Sequence, residues 1–189
     1  MLLLSLVVRD AYARSMTVIG RWQRDASGVT AIEFAMVALP FLMLLFGIIG
    51  VGLYFFTTFS MENAVEQAAR LIRTGQAQQS GMNSTQFKAE ICARAPLFID
   101  CQNKLRVSVK TYNEWTSITP ATQPKCLDSG NLVTTTEFNL GGSGEIVLVW
   151  VCLEWDFAAK IPFLNLADMS NGSRLIQVAT TFRTEPYEN

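Results

Sequence analysis

Histidine is absent from the 189 residues. Its absence excludes Ser-His-Asp and Cys-His catalysis, histidine-bearing zinc sites and most proton shuttling near neutral pH. Charge is scarce too: Asp, Glu, Lys and Arg make up 16% of the chain, and 15 basic residues nearly cancel 16 acidic ones. No basic field is left to attract nucleic acid, which is not expected as a partner. The four cysteines contain no Cys-x2-Cys or Cys-x4-Cys knuckle, so neither a zinc site nor a thiol redox catalyst is indicated and no metal is expected. What is abundant is apolar: half of the residues fall in the hydrophobic set and the mean hydropathy is +0.24, too much for a disordered chain.

That hydrophobicity is concentrated. Between Glu33 and Glu62 lie 28 positions without a charge, and Phe34–Phe56 is apolar apart from glycines, Pro40 and Tyr54. Those 23 residues reach about 35 Å as a helix, enough for a bilayer core of about 30 Å. The run is too long for the apolar segment of a cleaved secretory signal and lacks an Ala-x-Ala exit. Residues 1–28 carry Arg9, Arg14, Arg21 and Arg24 against Asp10 and Asp25, whereas the other flank offers Arg70 and Arg73 against Glu62 and Glu66. The excess of arginine before the span predicts a cytoplasmic N-terminus and an external C-terminal part. All four cysteines follow the span, where an oxidising compartment permits disulfides.

Beyond the span, Met61, Val65, Ala68, Ile72 and Gly75 recur at helical spacing, with Glu66 four residues before Arg70. One apolar stripe and one charged face result, and no breaker separates them from the span. A single helix from Val29 to about Gln76 is predicted. Gly75–Gly81 reads as its end, and Ser84–Ala95 as a short second helix stopped by Pro96. Three strands follow. Leu105, Val107 and Val109 alternate with polar residues in 104–112; within 145–157 the odd positions from Val147 to Phe157 are all apolar; Ile176, Val178, Thr180 and Phe182 form one face of 174–184. The odd face of 145–157 is expected to meet the helix and its even face to become exposed. The polar connection 113–144 is expected to be the most mobile part, with a short hairpin around Leu132–Leu140.

Cys92, Cys101, Cys126 and Cys152 allow three disulfide pairings. The preferred one joins Cys92 to Cys101, pinning the short helix to the next strand, and Cys126 to Cys152, tethering the long loop to the central strand; the other two stay open. Gly141-Gly142-Ser143-Gly144 lacks the lysine of a phosphate loop and precedes a strand, so it reads as a turn and no cofactor is expected. Glu154 and Asp156 share a strand face and could mimic a glycosidase pair, but the favoured reading is a solvated strand end. Trp155 belongs to the core, while Trp150 either underlies the loop or meets a partner. Pro40, Gly47, Gly50 and Gly52 read either as ordinary tolerance of membrane helices or as a softened helix.

The boundary of the span carries the functional signal. Arg24-Asp25-Ala26-Ser27-Gly28 leads into Val29-Thr30-Ala31-Ile32-Glu33-Phe34. A glycine here permits an extended, protease-accessible backbone, and a carboxylate entering hydrocarbon demands a partner. Cleavage after Gly28 would supply one, the new amine of Val29, in the same chain or from a neighbour. Glycine with glutamate five residues on resembles the class III leader of type IV pilins. A lone pair at that spacing is common by chance; the surroundings make it specific. With Met61-Glu-Asn-Ala64-Val-Glu-Gln-Ala68-Ala69-Arg70 and Gly75-Gln76, the stretch from Arg21 to Gln78 is similar to TadE-like pseudopilins of tight-adherence (Flp) pilus systems.

That resemblance implies a non-enzymatic minor pilin or pseudopilin of the bacterial inner membrane. It would be cut by a prepilin peptidase after Gly28 and work with other pilins and inner-membrane pilus assembly proteins, with possible entry into the pilus. It also implies a pilin-like α+β fold: a cytoplasmic leader over 1–28, the transmembrane part of a long helix over 29–60, and an external head over 61–189 bearing an antiparallel sheet of three to four strands. A start at Met16 would shorten the leader to 13 residues, and residues 1–15 are expected to be an upstream extension or dispensable. The rival reading is an uncleaved, signal-anchored scaffold or sensor.

Overall fold

The computed structural model describes residues 27–187; most of the expected leader lies outside them. Its first element is one uninterrupted α-helix of 47 residues, α1 (Ser27–Arg73). An apolar segment in lipid must satisfy its backbone internally, and a helix does so. Pro40 sits inside α1, where it removes the donor that would reach the Met36 carbonyl. The Thr57 and Thr58 hydroxyls donate back to the carbonyls of Leu53 and Tyr54 at 2.8 and 3.0 Å. α1 is long and apolar enough to cross a membrane once. It ends where Gly75 adopts φ 77°, a left-handed position at which side chains are strained. A Cβ there would also come 2.5 Å from the Tyr187 ring.

Two compact units divide between Leu45 and Phe46. The first is the apolar start of α1, with Phe34, Met36 and Val37 each more than 70% exposed. The second contains the rest of α1 and everything after it. Two short helices follow α1: α2 (Gln76–Gln79) and α3 (Ser84–Cys92). The latter starts at a reciprocal cap, in which the Gln86 amide donates to Asn83 Oδ1 at 3.0 Å and the Asn83 amide to Gln86 Oε1 at 2.9 Å. It is shorter than the predicted Ser84–Ala95. A last helical turn, α4 (Cys101–Lys104), runs directly into β1 (Leu105–Tyr112).

β1, β4 (Ile146–Trp155) and β5 (Arg174–Arg183) form an antiparallel sheet with β4 at its centre. The register pairs Val109 with Val149 and Val149 with Thr180, and Leu105 with Leu153 and Leu153 with Ile176. Odd-numbered side chains of β1 and β4 and even-numbered ones of β5 therefore share one face. Val147, Val149, Val151, Leu153 and Trp155 are buried on it and form one core with Met61, Ala64, Val65, Ala68 and Ile72 of α1, joined by Phe87 and Ile91 of α3. Thr180 and Phe182, nearer the end of an outer strand, are only half-buried.

The even face differs from expectation. Ile146, Leu148 and Cys152 are buried there, and Tyr112, Ile146 and Leu148 make a second small core with Ile118 and Trp150. The long connection covers this face instead of leaving it to solvent. It is fixed by a disulfide from Cys126 to Cys152, by Trp150 Nε1–H donating to Cys126 Sγ at 3.1 Å, and by Tyr112 Oη–H donating to the Thr122 carbonyl at 2.7 Å. The hairpin in this connection also sits earlier than expected. It pairs β2 (Leu127–Asp128) with β3 (Asn131–Leu132) around Ser129-Gly130, both with positive φ. Phe138 instead bridges Val109 of β1 in parallel.

The glycines of α1 are not equivalent. A Cβ at Gly50 would stand 2.7 Å from the Ile161 side chain, whereas Gly47 and Gly52 have nothing within 4 Å. Close approach explains Gly50. Gly50→Ala is expected to destabilise this unit by about 1–3 kcal/mol through overpacking, while Gly47→Ala and Gly52→Ala are neutral or stabilising by up to about 1 kcal/mol. Thermal unfolding of the full chain in micelles, followed by near-ultraviolet circular dichroism, checks this. Equal losses at Gly47 and Gly50 would show that helix softness, not the Ile161 contact, matters.

Candidate functional site

The expected processing boundary, Gly28 and Val29, lies in the first turn of α1. Gly28 is exposed and already helical, rather than in the extended backbone anticipated from its residue type. It is nevertheless within the first four residues, whose amides have no partner inside the helix. Val29 and Glu33 are four residues apart and so lie one above the other on the same face. Both are exposed, and among the described residues Glu33 has no ion pair. The first turn contains no acidic residue. A free amine on Val29 would add its charge to the positive end of the helix dipole, with Glu33 the nearest carboxylate along the chain. Ala31 and Ala35, also four apart, leave a shallow strip suited to close helix packing.

All four cysteines are in disulfides, Cys92 with Cys101 and Cys126 with Cys152. Each bond spans Cα atoms 5.6 Å apart. The first joins the end of α3 to the start of α4, and the second ties the long connection to β4. No thiol is therefore left to act as ligand or nucleophile.

Glu154 and Asp156 do come together, around a lysine. Lys104 Nζ lies 3.2 Å from Glu154 Oε1 and also hydrogen-bonds Asp156. Ser173 Oγ–H is within hydrogen-bond reach of both carboxylates, and Asn171 Nδ2–H donates to Glu154 at 2.8 Å. Burial depresses the Lys104 ammonium, but hydrogen bonds to Asp156 and Glu154 with their negative charges raise its pKa by more, leaving it above 10.5. This is a knot between α4, the end of β4 and the turn before β5, and it commits both acids to one cation. Gly141–Gly144 is a turn in which the Glu145 carboxylate accepts the Gly142 amide at 3.0 Å.

One feature has no counterpart in the linear pattern. Lys88 of α3 and Arg106 of β1 line a groove of about 280 Å³ with Ser84, Thr85, Thr134 and Thr136. Burial, then the neighbouring Arg106 guanidinium, hold the Lys88 pKa below 10.5, with Asp100 opposing. Its residues come from three separate segments, so no local motif announces it.

Residues 28–70 match the family model of TadE-like proteins. The matched segment begins at Gly28 and includes Val29, Glu33 and most of α1. No curated protein and no solved structure matches the chain.

The two lysines have opposite linkage to pH. The raised pKa of Lys104 gives stability that is present below 10.5 and lost as pH rises through the elevated folded value. Lys104→Met is therefore expected to cost about 1–3 kcal/mol at pH 7, because two half-buried carboxylates lose their cation. The gap to wild type should close under strongly alkaline conditions. Lys88 has a lowered pKa, so its charge opposes folding at neutral pH and the penalty is relieved as pH rises towards 10.5. Lys88→Met should match or exceed wild type at pH 7. Denaturant unfolding across pH tests both signs.

Proposed function

We propose that the chain is a minor pilin or pseudopilin that helps assemble a tight-adherence type IV pilus and is cut by a prepilin peptidase after Gly28. The observation that carries this reading is a coincidence of boundaries. The TadE-like match starts at residue 28, where a polar segment gives way to an apolar helix with Glu33 in its second turn. In this reading residues 1–28 are a cytoplasmic leader, 29–60 hold the protein in the inner membrane, and 61–189 form the periplasmic or extracellular head. The partners are the peptidase, other pilins and pseudopilins, the inner-membrane assembly proteins and the bilayer.

The mechanism is assembly, not turnover. Cleavage removes the arginine-rich leader and creates an ammonium group on Val29. Glu33 then sets register by pairing with that group on a neighbouring subunit, since a carboxylate beside hydrocarbon is costly unless matched. The helix supplies an apolar surface for its neighbours, and the head supplies subunit contacts.

Intact-mass analysis of the protein from native membranes, with and without the peptidase, tests the first step. A mature chain beginning at Val29 only when the peptidase is present is the expected result; a leader retained in both strains would favour an uncleaved anchored scaffold. For the second step, Glu33→Ala should insert normally yet lose roughly tenfold in assembled product, the factor carried by about 1.4 kcal/mol. Unchanged piliation in that variant would remove Glu33 from the mechanism.

A further inference from the structure

The end of the head where β4 stops exposes apolar side chains that neither core uses. Leu97 is fully exposed, Phe98 is 43% exposed and Phe163 is 62% exposed. They lie on two loops, 96–99 and 157–163, and both loops are seated on α1. Phe98 stacks on Phe56 at 6.2 Å and meets Phe157 edge-on at 6.0 Å. Ile161 fills the space left by Gly50. Phe46, Ile49, Leu53, Phe157, Ile161 and Pro162 line a shallow apolar groove between helix and loop.

The position of these contacts along α1 fixes their depth. The uncharged run starts at Phe34, and about 20 helical residues cross the hydrocarbon, which brings its far edge to the neighbourhood of Leu53. Gly50 then lies inside that edge, and Phe56 only about 4.5 Å beyond Leu53. Loops touching Gly50 and Phe56 cannot stand clear of the membrane that the helix crosses. The polar atoms nearby suit the same level. Lys160 Nζ lies 5.3 Å from the Phe157 ring centroid and Arg174 packs over Tyr54 at 5.4 Å, an aromatic belt with cations able to reach lipid phosphates.

We propose that this end of the head is a second membrane contact: loops 96–99 and 157–163 insert Leu97, Phe98 and Phe163 into the interface of the bilayer spanned by α1, with Lys160 at phosphate level. The inference rests on the membrane-spanning reading of α1. It commits to lipid and not to a neighbouring subunit because the loops are held at hydrocarbon depth by their own helix, whatever surrounds it.

Carbene labelling of the full chain tests this in vesicles of phosphatidylcholine and phosphatidylglycerol containing a lipid with a diazirine in its acyl chain. After reduction and trypsin digestion, the peptides Ala95–Lys104 and Ile161–Arg174 should carry at least about fivefold more label than Thr111–Lys125, which holds Trp115 at the opposite end of the sheet. The double variant Leu97→Asp with Phe163→Asp should bring both peptides down to that reference while the helix peptide stays labelled and the circular dichroism is unchanged. A labelled helix with both loop peptides at the reference level overturns the proposal and leaves a neighbouring subunit as the occupant. An unlabelled helix overturns the membrane-spanning reading and the proposal with it.

Discussion

The seam between α1 and β4 is the contact on which the second unit depends. Met61, Ala64, Val65, Ala68 and Ile72 form a stripe on the helix, and Val147, Val149, Val151, Leu153 and Trp155 form the facing row on the strand. Ala64, Ala68 and Ala69 are buried along the helix, while Trp155 fills one end, edge-on to Tyr54 at 5.7 Å. Three strands cannot hide the face that carries Val149 and Ile176 from water without this helix. Helix and head are therefore one folding problem, and a force that draws on the helix is transmitted to the sheet through packed side chains.

The other face of the sheet is secured differently because the chain there lacks regular structure. A connection of this length is entropically costly to hold in place. Here it is held by a covalent bond from Cys126 to Cys152, a parallel bridge at Val109 and the contacts of Trp150 and Tyr112. At the far end of β4 the Lys104 knot does similar work for the turn before β5. The disulfides require an oxidising compartment, which supports an external head independently of the arginine count before the span.

Periodicity made most of this architecture legible. The 3.6-residue stripe at Met61–Ile72 and the two-residue alternation in the three long strands each report a face that must be buried, and such faces repeat often enough to be read. What could not be read was what single residues meet across long sequence separations. Nothing local distinguishes Gly50, which receives Ile161, from Gly47 and Gly52, which receive nothing. Lys104 finds its carboxylates 50 and 52 residues away. The hairpin at Ser129-Gly130 has a turn dipeptide weaker than Asn-Gly or Asp-Gly and strands of two residues each, too short for alternation to show, whereas Phe138, in the stretch Leu132–Leu140, makes a bridge to β1. Leu97 and Phe163 are isolated apolar residues in loops, which carry no period at all.

The two ends of the apolar run present opposite chemical situations. At the C-terminal end, Tyr54 and Phe56 are met by Trp155 and Phe98 of the same chain, and Thr57 returns its hydroxyl to its own helix. At the N-terminal end, Glu33 stands among exposed apolar residues with no cation beside it among the described residues. Under the proposed cleavage after Gly28, an amine on Val29 would lie on the same face of the same helix. A pair made only within one subunit would leave both charges at the apolar surface, while a pair made between subunits neutralises them where two helices exclude lipid. In the proposed assembly the second arrangement removes both charges from lipid contact, and the attraction between them is strongest where water and lipid are excluded. On the proposed reading, the side chain that is hardest to accommodate in the isolated subunit is the one that assembly would partner.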